Sequence, residues 1–292
     1  MMKNTEKTPL RTLRIIIRSI LTRTDGLFAC LFCALWIITA LVSLVWTPYD
    51  LNFSDGYNVW SSPSAAHWLG TDGAGADIAS WLLAGSATEL LIVIAVSVIT
   101  CVVGIAGVSV TISRHTGVRT LSVIIIDALI SIPTIVVALL CAAPLGASIA
   151  GIIIACSFAY SLNLMRVVRP VAVAAARSPY VTFARYKGKS HGRIFIEHIL
   201  PQIMPSVIIN VSLAAATSML AESGLTYLGV GVPSHIASWG RSLASAVSYV
   251  TVHPSVAIWP GLLITLAVLS VNLLGDALRE ASDPVSNEAL RQ

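Results

Sequence analysis

The stretch from Ser178 to Pro205, SPYVTFARYKGKSHGRIFIEHILPQIMP, gathers basic and polar side chains in an otherwise apolar chain. Its Gly188-Lys189-Ser190 triplet is the ending of a phosphate-binding loop, whose backbone N–H groups cradle a nucleotide. That chemistry needs a glycine five positions before Gly188, where Phe183 stands, and a preceding strand, which is absent. The cradle cannot form, so the chain is read as carrying no ATP site, no cofactor and no enzymatic activity of its own. What remains is helix punctuation. Ser178 suits an N-cap, Pro179 a first turn and Gly188 a C′ position, predicting a helix from Pro179 to Lys187. At 1.5 Å per residue it is ~13 Å long, far too short to cross a bilayer. Ser190 can cap a second short segment running to Leu200-Pro201. The pair reads as a compact basic helix-turn-helix on one side of a membrane, where something outside the membrane takes hold. The plainer reading is a connecting loop that carries only topological charge.

Other groups are weighed the same way. Asp127 lies within an apolar run, with Pro133 nearly two turns later. An ionisable group inside a span is a functional candidate by default, and a proton relay is one such function. No chain of polar partners accompanies Asp127, so the structural reading, in which it faces other helices and bonds there, is preferred. Glu89 and Glu222 are placed at span ends, within reach of water. Asn163, Asn210 and Asn272 are candidates for hydrogen bonds between helices, each worth ~0.6–2 kcal/mol in a membrane. Cys30 and Cys33 sit one helical turn apart in an apolar run, and all five cysteines are read as small packing residues. The sequence contains no HExxH, zinc-spaced cysteine pairs or nucleophile–base pair, so no metal site is expected.

The elements that position these groups follow from composition. Of 292 residues, 56% are hydrophobic and 11% charged, against about 25% charged in an ordinary soluble domain. This is an all-α, polytopic membrane protein. Residues 1–26 are basic, with Leu13, Ile16, Ile17 and Ile20 on one helical face, predicting an amphipathic helix on the inner membrane surface. Six spans are expected: Leu27–Trp46, Thr88–Ser113, Leu121–Ala143, Ala147–Met165, Ile199–Ala221 and Val256–Leu278. The first is read as an uncleaved anchor, since a signal peptide would have a shorter apolar region and a cleavage site. Residues 47–87 form an external segment with Trp60, Trp68 and Trp81 at interface depth. Residues 88–278 form a five-helix core, with a connecting loop at 166–198 and an irregular, partly re-entrant external loop at 222–255. Residues 279–292 are the tail. Pro133, Pro201 and Pro205 should bend or end helices. With both termini cytosolic, seventeen of the eighteen Lys and Arg residues fall inside, and only Arg241 lies outside. The positive charge thus follows membrane topology and is no sign of nucleic acid.

The order Tyr180-Val181, Ala184-Arg185, Gly188, Ser190, His198-Ile199-Leu200-Pro201 and Pro205 resembles the EAA loop of ABC-importer permeases, with Thr182-Phe183-Ala184 where that family has Glu-Ala-Ala. Four further segments resemble the dipeptide, oligopeptide and nickel importer permeases. They are His67-Trp68-Leu69-Gly70-Thr71-Asp72 with Gly75 and Asp77; Asp127 with Ser131-Ile132-Pro133; Ala221-Glu222, Leu225, Tyr227-Leu228-Gly229, Gly231 and Ser238-Trp239-Gly240; and Trp259-Pro260-Gly261 with Asn272–Asp276, Leu278-Arg279 and Asp283-Pro284. An arginine of the family stands here as Ala76, and two further basic residues as Trp81 and Ala87.

The resemblance implies a type I permease fold in a bacterial or archaeal plasma membrane, and the second of two homologous permease subunits. It implies two cytosolic ATPases that bind ATP and Mg, an external substrate-binding protein, and alternating access. It assigns ATPase coupling to Phe183, Ala184, Arg185, Tyr186 and Gly188. Asp127, Glu222 and Asn210 are the intramembrane polar candidates, with the path expected chiefly along the third and fifth spans. Peptides, nickel chelates and glutathione are all transported by such permeases. Two other classes stand beside this reading: a secondary transporter, which would carry functional intramembrane charges and often an internal repeat, and a non-transport scaffold.

Overall fold

The computed structural model describes residues 9–282; the Asp283-Pro284 pair, Arg291, Lys3 and Lys7 lie outside the described residues. Those residues form helices α1 (Pro9–Leu21), α2 (Thr24–Ser43), α3 (Ile78–Thr111), α4 (Thr116–Ile130), α5 (Thr134–Leu145), α6 (Ile149–Ala176), α7 (Pro179–Tyr186), α8 (His191–Ile194), α9 (Leu200–Tyr227), α10 (Trp239–Ala246) and α11 (Ser255–Ser282). Five segments are long and apolar enough to cross a membrane: α2, α3, α6, His191–Tyr227 and α11. The third expected span, Leu121–Ala143, is a broken one.

Pro133 is the cause of the break. It has no N–H to continue the ladder and disfavours helix in the residue before it. The chain turns by 84° between α4 and α5. Pro201 and Pro205 act differently from expectation. The expected short segment and the span after it are one helix, because a π turn at Phe195–Ile199 joins α8 to α9. There the Leu200 N–H reaches the Phe195 carbonyl, which lets the helix continue through Pro201. Two further boundaries differ. The second span starts at Ile78, ten residues before Thr88, because Asp77 caps it by accepting from the Ser80 N–H at 2.8 Å. The fourth runs to Ala176, which puts Arg166 and Arg169 on a helix. On α1, Ile16 and Ile20 pack against Leu274, Ala277, Leu278 and Ala281 of α11, although Ile17 is exposed. The start of α2 and the end of α11 are also tied by ion pairing of Arg23 with Glu280. Both ends of the described chain therefore lie at one end of the bundle, with the arginine-rich connections.

At the opposite end, residues 44–77 fold as a built segment. The Asp72 carboxylate accepts from the N–H groups of Ala74 and Ala76, at 2.8 and 2.9 Å. The Asp77 carboxylate accepts from Ser80 and meets His67 Nδ1 at 2.9 Å, and the Tyr49 ring stacks on His67. The Tyr57 N–H and the Asn58 amide hold the Asp55 carboxyl below its ordinary range. Trp60 takes φ 56, a left-handed backbone that costs a non-glycine residue about 1–3 kcal/mol. Its ring lies flat on His253 at 4.1 Å, which joins this segment to the connection after α10.

Glu89 and Glu222 were expected at span ends; both are fully buried. The early start of α3 puts Glu89 eleven residues, or ~17 Å, into its helix. Glu222 accepts from Thr226 Oγ1 and Ser238 Oγ, each at 2.9 Å. Ser238 in turn caps α10 by accepting from the Arg241 N–H. Trp239 then donates to the Leu82 carbonyl at 2.8 Å and lies 5.3 Å from Trp36, whose own indole donates to the Ser86 carbonyl. Gly240 lies so close to the carboxyl that a Cβ would stand 2.1 Å from Glu222 Oε2. The Glu89 carboxyl adjoins Glu222 and the Trp239 and Gly240 N–H groups, but neither of its oxygens is aligned for a hydrogen bond.

Two contrasts test this packing by thermal unfolding of the purified protein. Gly75 has φ +76, and a Cβ there would meet the Asp55 carbonyl at 2.0 Å, whereas Gly56 faces open space. Gly75→Ala should lower the melting temperature by several degrees while Gly56→Ala leaves it unchanged; equal effects would remove the packing argument. Glu222→Ala strands two buried hydroxyls, at a cost on the order of 3 kcal/mol. Glu89→Gln supplies a donor where two carboxyls face each other, so it should leave the melting temperature unchanged or raise it. A loss as large as that of Glu222→Ala would contradict the assignment of Glu222 as the anchor.

Candidate functional site

Helix α7 is a short helix at the arginine-rich end, and its sequence gives it two unlike faces. Val181 and Ala184, three residues apart, are buried against Val168, Ile194, Phe195 and Ile199. Phe183 and Tyr186 point away, 62% and 88% exposed, with Arg185 beside them. The Lys187 ammonium sits 4.7 Å from the Phe183 ring centre. Large aromatic side chains held this far into solvent on a helix that is itself well seated mark an interaction surface. Ala184 does not share it; its methyl meets the core of its own chain.

The end of α7 matches expectation and its start does not. Gly188 has φ +74, its N–H donates to the Arg185 carbonyl at 2.9 Å, and the Lys189 N–H donates to the Ala184 carbonyl at 3.2 Å. This is a Schellman closure, in which a left-handed residue satisfies the last carbonyls. Ser178 makes no capping bond and its hydroxyl is buried without a partner, so Pro179 opens the helix alone. Ser190 does cap α8, accepting from the Arg193 N–H. Glu197 then accepts from Arg193 at 2.6 Å and from Lys189, which fixes the exit from the turn.

The intramembrane candidates are not brought together. Asp127 is exposed on α4 and its carboxylate has no hydrogen-bond or ion partner among the described residues; the expectation that it bonds to neighbouring helices is corrected. It borders a cavity of about 30 Å³ with Thr111, Arg166 and Arg169. Helix α4 buries none of its residues in this chain. Asn210 and Asn272 donate to Ser206 and Val268 on their own helices, at 2.8 and 3.0 Å, and Asn163 is exposed, so the expected bonds between helices do not form. The buried Glu89 was missed as a site residue. Its signal was the Asp77-x-x-Ser80 cap, which starts α3 early enough to carry Glu89 inside.

Two larger cavities bear on the two ends of the bundle. One of about 350 Å³ at the end bearing residues 44–77 is lined by Trp60, Asp72, Trp81, Arg241 and Tyr249. The other, of about 520 Å³, opens beside α7 and is lined mainly by arginines.

Residues 103–285 match the family model described as binding-protein-dependent transport system inner membrane component. The nickel transport system permease protein NikC of Escherichia coli K12 is 32% identical over 258 residues, covering 88% of this chain and 92% of that protein. The glutathione transport system permease protein GsiD of Escherichia coli O1:K1 is 34% identical over 257 residues, covering 88% and 85%. A putative peptide transport system permease protein of Brucella suis is 34% identical over 222 residues, covering 76% and 75%. An all-helical chain with five long apolar helices, a bent sixth and this breadth of likeness belongs to the inner-membrane permease subunits of binding-protein-dependent ABC importers.

Proposed function

We propose that α7 is the coupling helix of this permease and that the arginine-rich end is cytosolic. The observation that carries the reading is the two-faced α7: Val181 and Ala184 seat it on the bundle, while Phe183, Arg185 and Tyr186 remain free for a partner. Gly188 sets the angle at which the helix leaves that seat. The partner is a cytosolic ATPase that binds ATP and Mg, and a second permease brings a second coupling helix to a second ATPase. When ATP closes the two ATPases, each α7 is drawn inward. Its core is continuous with α6 and α9, so the movement passes into the spans as that of a packed body. Hydrolysis releases the pair, and access alternates between the two faces.

The unburied surface of α4 and the bend to α5 favour this side as the seat of the homologous permease and of the path, with Asp127 facing it. The opposite end, with its built segment and the Arg241-lined cavity, faces the external binding protein. The relatives named above support a small solute as cargo: a peptide, glutathione or a nickel species. The binding protein selects among these, and the chain takes its place in a multi-pass inner-membrane complex.

Orientation is tested with single cysteines in a cysteine-free background. Positions 188 and 70 should react with an impermeant reagent from opposite sides, position 188 from the cytosol; external labelling at 188 would overturn the layout. Coupling is tested at Gly188. A valine there is strained at φ +74, while asparagine tolerates a left-handed backbone. Gly188→Val should reduce uptake at least tenfold with normal expression, and Gly188→Asn should retain most of it. Phe183→Ala with Tyr186→Ala should lose copurifying ATPase without loss of thermal stability. Normal coupled uptake in all three would leave this segment as a basic connector.

A further inference from the structure

The cavity of about 520 Å³ beside α7 is bounded by the end of α3, the start of α4, the second half of α6 and α7 itself. Arg114, Arg119, Arg169, Arg177 and Arg185 line it, with no carboxylate among the lining residues. Arg119, Arg169 and Arg185 lie on three different helices, and Arg114 and Arg177 on the connections after α3 and α6, so their meeting is a product of the fold and not of a local run. None of the five takes part in an ion pair among the described residues. The carboxylate of Glu197 is committed to Lys189 and Arg193, and Asp127 lines only a smaller adjoining cavity, which shares Arg169 with this one. Arg114 donates only to the Lys189 carbonyl, at 3.4 Å. The Nε of Arg169 is shielded from solvent and has no hydrogen-bond partner.

Charges that serve topology alone need only stand near a membrane surface, each in water. Five guanidiniums around one cavity repel each other, and a shielded N–H without an acceptor adds a cost to the empty site. Both costs are relieved by an anion with several acceptor oxygens. A guanidinium fork matches phosphate geometry with two parallel hydrogen bonds. The cavity also adjoins the ends of α3 and α6, two segments apolar enough to span a membrane, and basic pockets between spans suit anionic head groups.

We propose that this cavity is a phosphate-recognition site, seating the phosphodiester of an anionic phospholipid among Arg119, Arg169, Arg177 and Arg185. The same chemistry would take a soluble phosphate compound. An occupant would tie the α3–α4 connection, the end of α6 and the coupling helix to one another through a shared counter-ion. That consequence rests on the coupling role proposed for α7; the binding itself does not.

The test measures binding on the purified full-length chain, so its outcome is independent of transport. Native mass spectrometry compares occupancy by dioleoyl phosphatidylglycerol with that by dioleoyl phosphatidylcholine, with and without millimolar inorganic phosphate. One phosphatidylglycerol should be retained at least tenfold more tightly than phosphatidylcholine. Arg119→Gln with Arg177→Gln should remove that preference, while Arg119→Lys with Arg177→Lys should keep part of it. Arg119→Gln alone, on an exposed first turn, serves if the double variant does not fold, and should weaken the lipid at least threefold. Displacement of the lipid by phosphate, itself lost in the glutamine variant, would support the site with a soluble occupant. Equal retention of both lipids with no effect of phosphate, or a preference that survives in the glutamine variants, would overturn it.

Discussion

The buried carboxyl of Glu222 is the interaction on which the end bearing residues 44–77 depends. An isolated carboxyl in an apolar bundle is costly, and this one is kept by converting its acceptor capacity into geometry. By accepting from Thr226 and Ser238 it draws the residues after α9 back against that helix and fixes the start of α10. Once α10 starts there, Trp239 can only enter the cleft between α2 and α3. One polar contact thus decides how three spans meet, and Gly240 is required because anything larger would displace it. Glu89 enters the same space without comparable partners, so the cluster carries one anchored acid and one tolerated acid.

The arginine-rich end is organised by the opposite logic. No buried polar group sets its geometry. An apolar core from α3, α6, α9 and the π turn does, and Val181 and Ala184 extend it to α7. Close packing makes that core a poor spring and a good lever, because Val181 and Ala184 of α7 press on side chains that are themselves buried. The five arginines that line the cavity beside α7 form no ion pair among the described residues, so this end is incomplete electrostatically as well as sterically. Its apolar seat is internal, but its charges and aromatic side chains await other molecules.

What could be read from the sequence was whatever backbone chemistry dictates locally. Gly188 and Ser190 do what their residue types require, since a left-handed C′ and an N-cap are short-range needs. The apolar runs and the charge asymmetry gave the six-span reading because the bilayer imposes length and composition on each segment. Errors arose where tertiary context overrides local rules. Pro201 was read as a break, but a span packed on several sides re-satisfies its backbone through a π turn. Ser178 has the right residue type for a cap, yet its hydroxyl is turned into the interior. Asp127 was read as bonded between helices, but α4 buries none of its residues in this chain and the carboxylate stays exposed, which residue type and hydropathy alone do not reveal.

The hydrogen bond from Trp239 to Leu82 joins residues 157 positions apart. At ~5–20 residues per second, the nascent chain carries the first partner for roughly 8–30 seconds before the second exists. During that interval α3 is in the membrane without α9 or α10, and Glu89 has none of its final surroundings. The α2, α3 and α6 contacts can form first, whereas the contacts that Glu222, Ser238 and Trp239 make with the early spans must come later. Degradation of an overproduced permease should be decided in that waiting period, by whether residues 222–239 arrive in time, more than by the stability of the finished fold.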